Sequence, residues 1–299
     1  TCSCDNAGVC TVGITGTVAY SGPASFDYAI RANEKNSEIA SSSFEIIVVS
    51  WHGFGGYLSE IKVQDNFAYV AKGDGGFEVY DITSPASPVL ISRLDTAGTA
   101  GGVEISSDGN TAFVTDHNAG LLIFDITNPS TPSLVGKYDT AGIASSVVLS
   151  SDGNTAYIAD GANGLAIVDI TNHASTTLIG NYTTAGPAAR IRVSSDGNTA
   201  YVLDSSNGLI IVDITTPTGP TLIGSYNTPG TAIEFEISSD GNTAYIADFL
   251  TGLIILNITT PASPTLIRSY TTPMFVFGVK ISSDGNTAFV TDHNAGLLI

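Results

Sequence analysis

The stretch I-S-S-D-G-N-T-A-F-V-T-D-H-N-A-G-L-L-I occupies residues 105–123 and returns unchanged at 281–299. Looser versions lie between the two copies, and Asp108, Asp152, Asp196, Asp240 and Asp284 recur every 44 residues. A fixed period of this size means one supersecondary unit copied along the chain, each copy burying its apolar face against the next. No other feature constrains the fold as strongly.

The second unit shows what is copied. G-G-V-E-I-S forms a first strand, S-D-G-N a turn, T-A-F-V-T a second strand and D-H-N-A-G a turn. L-L-I-F-D-I is a third strand, T-N-P-S-T-P a connection and S-L-V-G-K-Y a fourth strand. Asp-Gly and Asn-Gly between short Val/Ile/Leu/Tyr runs are the chemistry of tight antiparallel turns. Pro88, Pro129, Pro132, Pro217, Pro220, Pro261 and Pro264 fall in connections, where no ladder donor is lost. Four antiparallel strands in a period of this length describe a propeller blade. The expected fold class is all-β: a six-bladed β-propeller of four-stranded blades.

G-L-A-I-V-D-I-T-N, G-L-I-I-V-D-I-T-T and G-L-I-I-L-N-I-T-T resemble the LVIVD repeat, a β-propeller family of bacterial and archaeal exported or cell-surface proteins. The resemblance covers roughly residues 44–299. It implies a propeller and supplies no catalytic residues.

Complete units begin near Tyr57, Gly101, Ser145, Ala189 and Ile233, and a sixth beginning near Phe275 stops in its third strand. F-E-I-I-V-V-S-W, residues 44–51, aligns with the fourth strands of other units. It is therefore expected to complete the last blade and remove its open edge. Residues 1–43 form a separate β arm with hairpin signals in T-V-G-I-T-G-T-V-A-Y and F-D-Y-A-I-R-A. The arm weakly resembles a fragment of Ig-like or transthyretin-like sandwiches. A hairpin of this size is marginal alone in water, so the arm is expected to lie on the repeats or on another molecule.

Ten basic against 28 acidic residues give a net charge of −18. Such a polyanion is repelled by nucleic acid and by anionic lipid. No apolar run is long enough to span a bilayer. The chain begins at Thr1 and its only Met is Met274, which reads as a processed, exported protein of the cell exterior or surface. Cys2, Cys4 and Cys10 are all in the arm. Cys2 or Cys4 pairing with Cys10 as a local disulfide is the expectation, with a spare thiol available for an intermolecular bond or a lipid attachment; metal binding is the weaker alternative.

Each candidate site has a structural reading beside it. The D-G-N turns lack the ligand spacing and the distant Glu of a calcium loop, so they read as hairpin turns. Asp116, Asp160, Asp204, Asp248 and Asp292, with Lys72 near that place in the first unit, could form a cation-binding or sugar-binding ring. Their recurrence favours turn caps instead. On the inner strands stand Glu60 with Lys62, Glu104, Arg190 with Arg192, Glu234 with Glu236, and Lys280. Arg192, Glu236 and Lys280 occupy equivalent positions and are expected to form inter-blade ion pairs, the alternative being a charged channel that admits an ion. His52, His117, His173 and His293 show no metal spacing. Catalytic motifs are absent, no cofactor is called for, and the blades look too alike to hold a unique pocket. Asn181 and Asn257 lie in N-glycosylation sequons, with Asn181 expected to be exposed and Asn257 to cap a turn. The functional expectation is a non-enzymatic structural or interaction protein that assembles with copies of itself through the arm. The alternative is an adhesive or ligand-binding propeller holding glycan or cation on its top-face loops.

Overall fold

The computed structural model describes residues 59–84, 87–282 and 284–299, together with three backbone strands nearer the N-terminus. Six antiparallel sheets follow one another along the chain, five of four strands and a sixth of three among the described residues. Blade one comprises Glu60–Gln64, Phe67–Ala71, Phe77–Asp81 and Val89–Leu94. Blades two to five begin with the inner strands Ala100–Ile105, Ala144–Leu149, Ala188–Val193 and Ala232–Ile237. They end with the outer strands Ser133–Tyr138, Thr177–Tyr182, Thr221–Tyr226 and Thr265–Tyr270. Blade six contains Val276–Ile281, Ala288–Asp292 and Gly296–Leu298. The inner strands of successive blades lie side by side, as a propeller requires. Residues 44–51, expected as the fourth strand of the last blade, lie outside the described residues.

The strand period of two explains how blades stick together. Phe113, Leu121 and Ile123 of blade two face Ala144, Val147 and Ile158 of blade three, all with no more than 1% exposure. On the opposite pleat Ala112, Val114, Leu122 and Phe124 pack on Tyr69, Phe77 and Val79 of blade one. Blades two to five thus bury both faces, and the core is a series of inter-blade layers rather than one centre.

The D-G-N turns are self-contained. Ser106 Oγ donates to Asp108 Oδ1 at 2.6 Å, Asn110 N donates to the same oxygen at 3.1 Å, and Thr111 N donates to Ser106 Oγ at 2.9 Å. Gly109 takes φ +74°, which is why glycine stands there. These donors hold the carboxyls of Asp108, Asp152, Asp196, Asp240 and Asp284 below their ordinary value of 3.8. A depressed folded value contributes stability that is complete above 3.8 and is lost as pH falls through the folded values. Thermal unfolding followed by circular dichroism should therefore shift to lower temperature between pH 4 and pH 2. Asp152→Ala should shrink that shift, because the variant already lacks this contribution at pH 7 and differs least from wild type at pH 2.

Two close approaches complete the frame. A Cβ on Gly136 would lie 1.8 Å from His173 O, and one on Gly180 would lie 2.2 Å from Pro217 O. In blades three to five the connection before the outer strand lies over the outer strand of the preceding blade, and Thr176 Oγ1 donates to Lys137 O at 2.8 Å. Glycine is used there because the covering backbone leaves no room for a side chain. The connection in blade three carries a 3-10 turn, His173–Ser175, capped by the Asn172 side chain.

Of the arm, Cys2–Cys4, Cys10–Gly13 and Ala29–Ala32 form a sheet of their own with Cys10–Gly13 in the middle. Register sets Cys4 opposite Cys10 and Cys2 opposite Val12. The cysteine side chains lie outside the described residues.

Candidate functional site

Bulges shape the axis end of every inner strand from blade two onward. Ala100 pairs with Asp116 and Gly102 with Thr115, which leaves Gly101 as the extra residue. The corresponding residues are Ser145, Ala189, Ile233 and Phe277. A bulge re-aims the side chain that sits on it. Below these residues run two tiers of axis-lining positions. One holds Glu60, Gly102, Ser146, Arg190, Glu234 and Gly278; the other holds Lys62, Glu104, Val148, Arg192, Glu236 and Lys280.

Arg192 Nη2 lies 3.1 Å from Glu234 Oε1 and 3.4 Å from Glu236 Oε1. Arg190 Nε lies 2.8 Å from Glu234 Oε2, and Lys280 Nζ also pairs with Glu236. Lys62 Nζ meets Glu104 at 2.8 Å. Each of these pairs joins adjacent blades. Four acids therefore face four bases, and the lining is close to neutral inside a strongly anionic molecule. Burial works against ionising Glu234, but Arg192 and Arg190 outweigh it and hold the carboxyl below its ordinary range. Burial wins at Glu60, whose carboxyl is pushed up although Lys62, Arg192 and Arg190 oppose it. Glu60 Oε2 accepts the Val103 N–H at 3.3 Å. Arg190 and Arg192 belong to blade four, so Glu60 in blade one feels charges across the axis.

The ring of aspartates is built as caps. Asp204 Oδ1 accepts the N–H groups of Ser206 and Asn207 at 2.9 and 3.0 Å, and Oδ2 accepts Gly186 N–H at 2.6 Å. Asp248 and Asp292 repeat this on Gly230 and Met274 at 2.9 Å. Asp116 caps Asn118 and Ala119, and Asp160 binds the Asn163 amide. All five carboxylates are buried. Each therefore ties its own turn, and in blades four to six the preceding inter-blade link as well. Asp204→Ala should lower stability by about 1–3 kcal/mol in urea unfolding, since it strands buried N–H donors. Added calcium should leave the wild-type transition unmoved. Among the described residues no group of three or more His, Cys, Asp or Glu gathers in one place. In blade one Lys72 instead pairs with Glu78 at 3.0 Å, beside Tyr80 and Arg93.

Asn181 is exposed on the outer strand of blade three. Asn257 is part-buried and its Oδ1 accepts both the N–H and the hydroxyl of Thr259, at 2.9 and 2.7 Å. His173 meets the Phe113 ring edge-on at 5.6 Å. His52 lies outside the described residues.

The blades are not alike everywhere: the junction of blades five and six departs from the repeat on one face. The second-to-third-strand turn of blade five reads D-F-L-T-G, and the following link reads T-P-M-F-V-F. Phe249 stacks on Phe275 with centroids 4.3 Å apart and planes at 5°, and meets Phe277 edge-on at 5.6 Å. His293 lies 5.9 Å from Phe277 and 6.4 Å from Phe275. Leu250 is 66% exposed, Phe277 48% and Met274 38%. Equivalent places at the other junctions hold Gly73 with Thr99 and Gly101, His117 with Ile143 and Ser145, Gly161 with Pro187 and Ala189, and Ser205 with Thr231 and Ile233. The signal was present in the sequence as three phenylalanines at positions where each other junction holds at most one large apolar side chain, Ile143 or Ile233.

The LVIVD repeat is matched five times, over residues 55–96, 97–140, 141–184, 185–228 and 234–272. The chain belongs to the LVIVD repeat family. No curated protein matches the sequence. Among solved structures, a functionally unknown protein from Desulfotomaculum acetoxidans DSM 771 is 15% identical with a TM-score of 0.67, covering 81% of each chain. Kuenenia stuttgartiensis hydrazine synthase is 11% identical with a TM-score of 0.65, over 84% of this LVIVD chain and 78% of that one. A proposed 6-phosphogluconolactonase from Bacteroides fragilis NCTC 9343 is 14% identical with a TM-score of 0.68, over 79% and 77%. At such identities the likeness is one of fold. Among the described residues of the LVIVD protein no helix is long and apolar enough to cross a membrane.

Proposed function

We propose that this LVIVD repeat protein is a non-enzymatic, exported structural and interaction protein that assembles with copies of itself through its N-terminal arm. The observation that supports it most is the arm sheet, whose strands pair with one another and with no blade strand among those described. Three short strands are marginal on their own, and a partner surface supplies the burial they lack. Strand addition between subunits is an established way to satisfy such edges, and a head-to-tail contact of this kind propagates into a filament. The blade rims add apolar surface: Leu90, Leu134, Leu178, Leu222 and Leu266 stand on successive outer strands at 46–54% exposure. Light scattering on the full chain should give masses that grow with concentration. Val12→Pro, in the central arm strand, should reduce the protein to a monomer with unchanged blade circular dichroism. A wild-type protein that stays monomeric at every concentration ends this reading.

A second reading is favoured by the phenylalanine cluster: a propeller that binds a ligand or adheres through its top-face loops. Repeat-breaking residues gathered on one face suit recognition rather than scaffold. Loss of a bound partner on Phe277→Ser, with the fold intact, is the outcome that separates it from the first.

A further inference from the structure

The top-face cluster is exposed where blades five and six meet, and the chemistry around it narrows what it can hold. Its surface is Leu250, Met274 and Phe277, backed by the half-buried stack of Phe249 on Phe275 and flanked by His293. The base is rigid, since Val276 N donates to Phe249 O at 3.3 Å and His293 N to Phe275 O at 2.8 Å. Leucine and methionine at the rim are adaptable side chains that repack around an incoming apolar group.

Besides the His293 imidazole, the named side chains of the cluster carry no directional polar group. A sugar bound on an aromatic face also needs hydrogen-bond partners for its hydroxyls. The carboxylates nearest in sequence, Asp248 and Asp292, are buried and already accept the N–H groups of Thr251 and Gly230, and of Asn294, Ala295 and Met274. A glycan would find rings but few partners.

Charge supplies the rest. The chain carries −18, and Lys62, Lys72, Arg93, Arg190, Arg192 and Lys280 are all engaged with acidic side chains. The molecule that carries this uncharged apolar patch thus has a negative long-range field. It steers cationic partners inward and disfavours anionic ones.

We propose that Phe249, Leu250, Met274, Phe275 and Phe277 form a docking site for a cationic peptide segment that presents apolar side chains. This rests on the second reading of function and replaces glycan or cation with peptide as its ligand. The apolar side chains seat on Phe277 and Leu250, while lysines or arginines on the same segment complement the net negative charge of the molecule.

Fluorescence anisotropy on the full chain tests it, using a short labelled peptide of Lys, Leu and Phe. Two control peptides replace Lys by Glu, or the apolar residues by Ser. The Lys-Leu-Phe peptide should bind, more weakly as salt rises. Phe277→Ser with Leu250→Ser should cost about tenfold or more in affinity, the scale of a central interface anchor. Phe277→Ala and Leu250→Ala tested singly guard against a folding defect, with circular dichroism as the check. Equal binding of the Lys-Ser peptide, or wild-type affinity in the variants, overturns the proposal. Patch-dependent binding of soluble oligosaccharides without peptide binding overturns it too, while leaving top-face recognition standing. If neither peptide nor oligosaccharide responds to the patch variants, top-face recognition fails with it.

Discussion

Glu234→Ala should lower the unfolding free energy by about 3 kcal/mol, within the range for removing one member of a buried ion pair. Glu234 is the carboxylate shared by Arg190 at 2.8 Å and Arg192 at 3.1 Å, and it also accepts the Phe235 N–H at 3.0 Å. Its removal leaves Arg190 without an acidic partner among its recorded ion pairs and leaves Arg192 with Glu236 alone. The side chains are 18–21% exposed, so some of the lost attraction is recovered from water, which argues against the top of the range. Urea unfolding measures the loss. The triple variant Arg190→Met, Glu234→Leu, Arg192→Met should regain much of it, because no charge is then stranded. If the triple variant is worse than Glu234→Ala, the network stabilises outright rather than by mutual compensation.

Phe235→Ala should cost about 3–5 kcal/mol, the usual loss for a fully buried phenylalanine. The ring has no exposure and sits between blades four and five with Tyr201, Leu203 and Ile246. It also lies under the Arg192 guanidinium, 5.5 Å from the ring centroid. Combined with Glu234→Ala, the two losses should miss additivity by at least about 0.5 kcal/mol, since both changes touch Arg192. Leu178→Ala on the rim serves as the contrast and should fall within about 0.5 kcal/mol of wild type, its side chain already being half in water. A large effect there would mean that the rim is covered.

Much of the fold was legible because blades are local objects. A strand needs alternation and a tight turn needs glycine or asparagine, and both are written within a few residues. Asp108, Gly109 and Asn110 announce a turn by themselves, and the structure needs only Ser106 and Thr111 to close it. The capping role of Asp204 and the equivalence of Arg192, Glu236 and Lys280 follow from the period in the same way. Gly136, by contrast, looks like an ordinary strand glycine. Its reason is a carbonyl 37 residues away, His173 O.

The sequence by itself determined the blade, the number of copies described, the turns and the charges that line the axis. Each of these depends on residues in one repeat or at one offset of 44. Tertiary structure alone decided how Glu60 meets charges from blade four, why glycine lies beneath the neighbouring connection, and that Phe249, Phe275 and Phe277 share one surface. Those are contacts between repeats, set by how sheets stack around an axis. A period records what is the same in every blade, whereas a surface made at one junction depends on where two different blades meet.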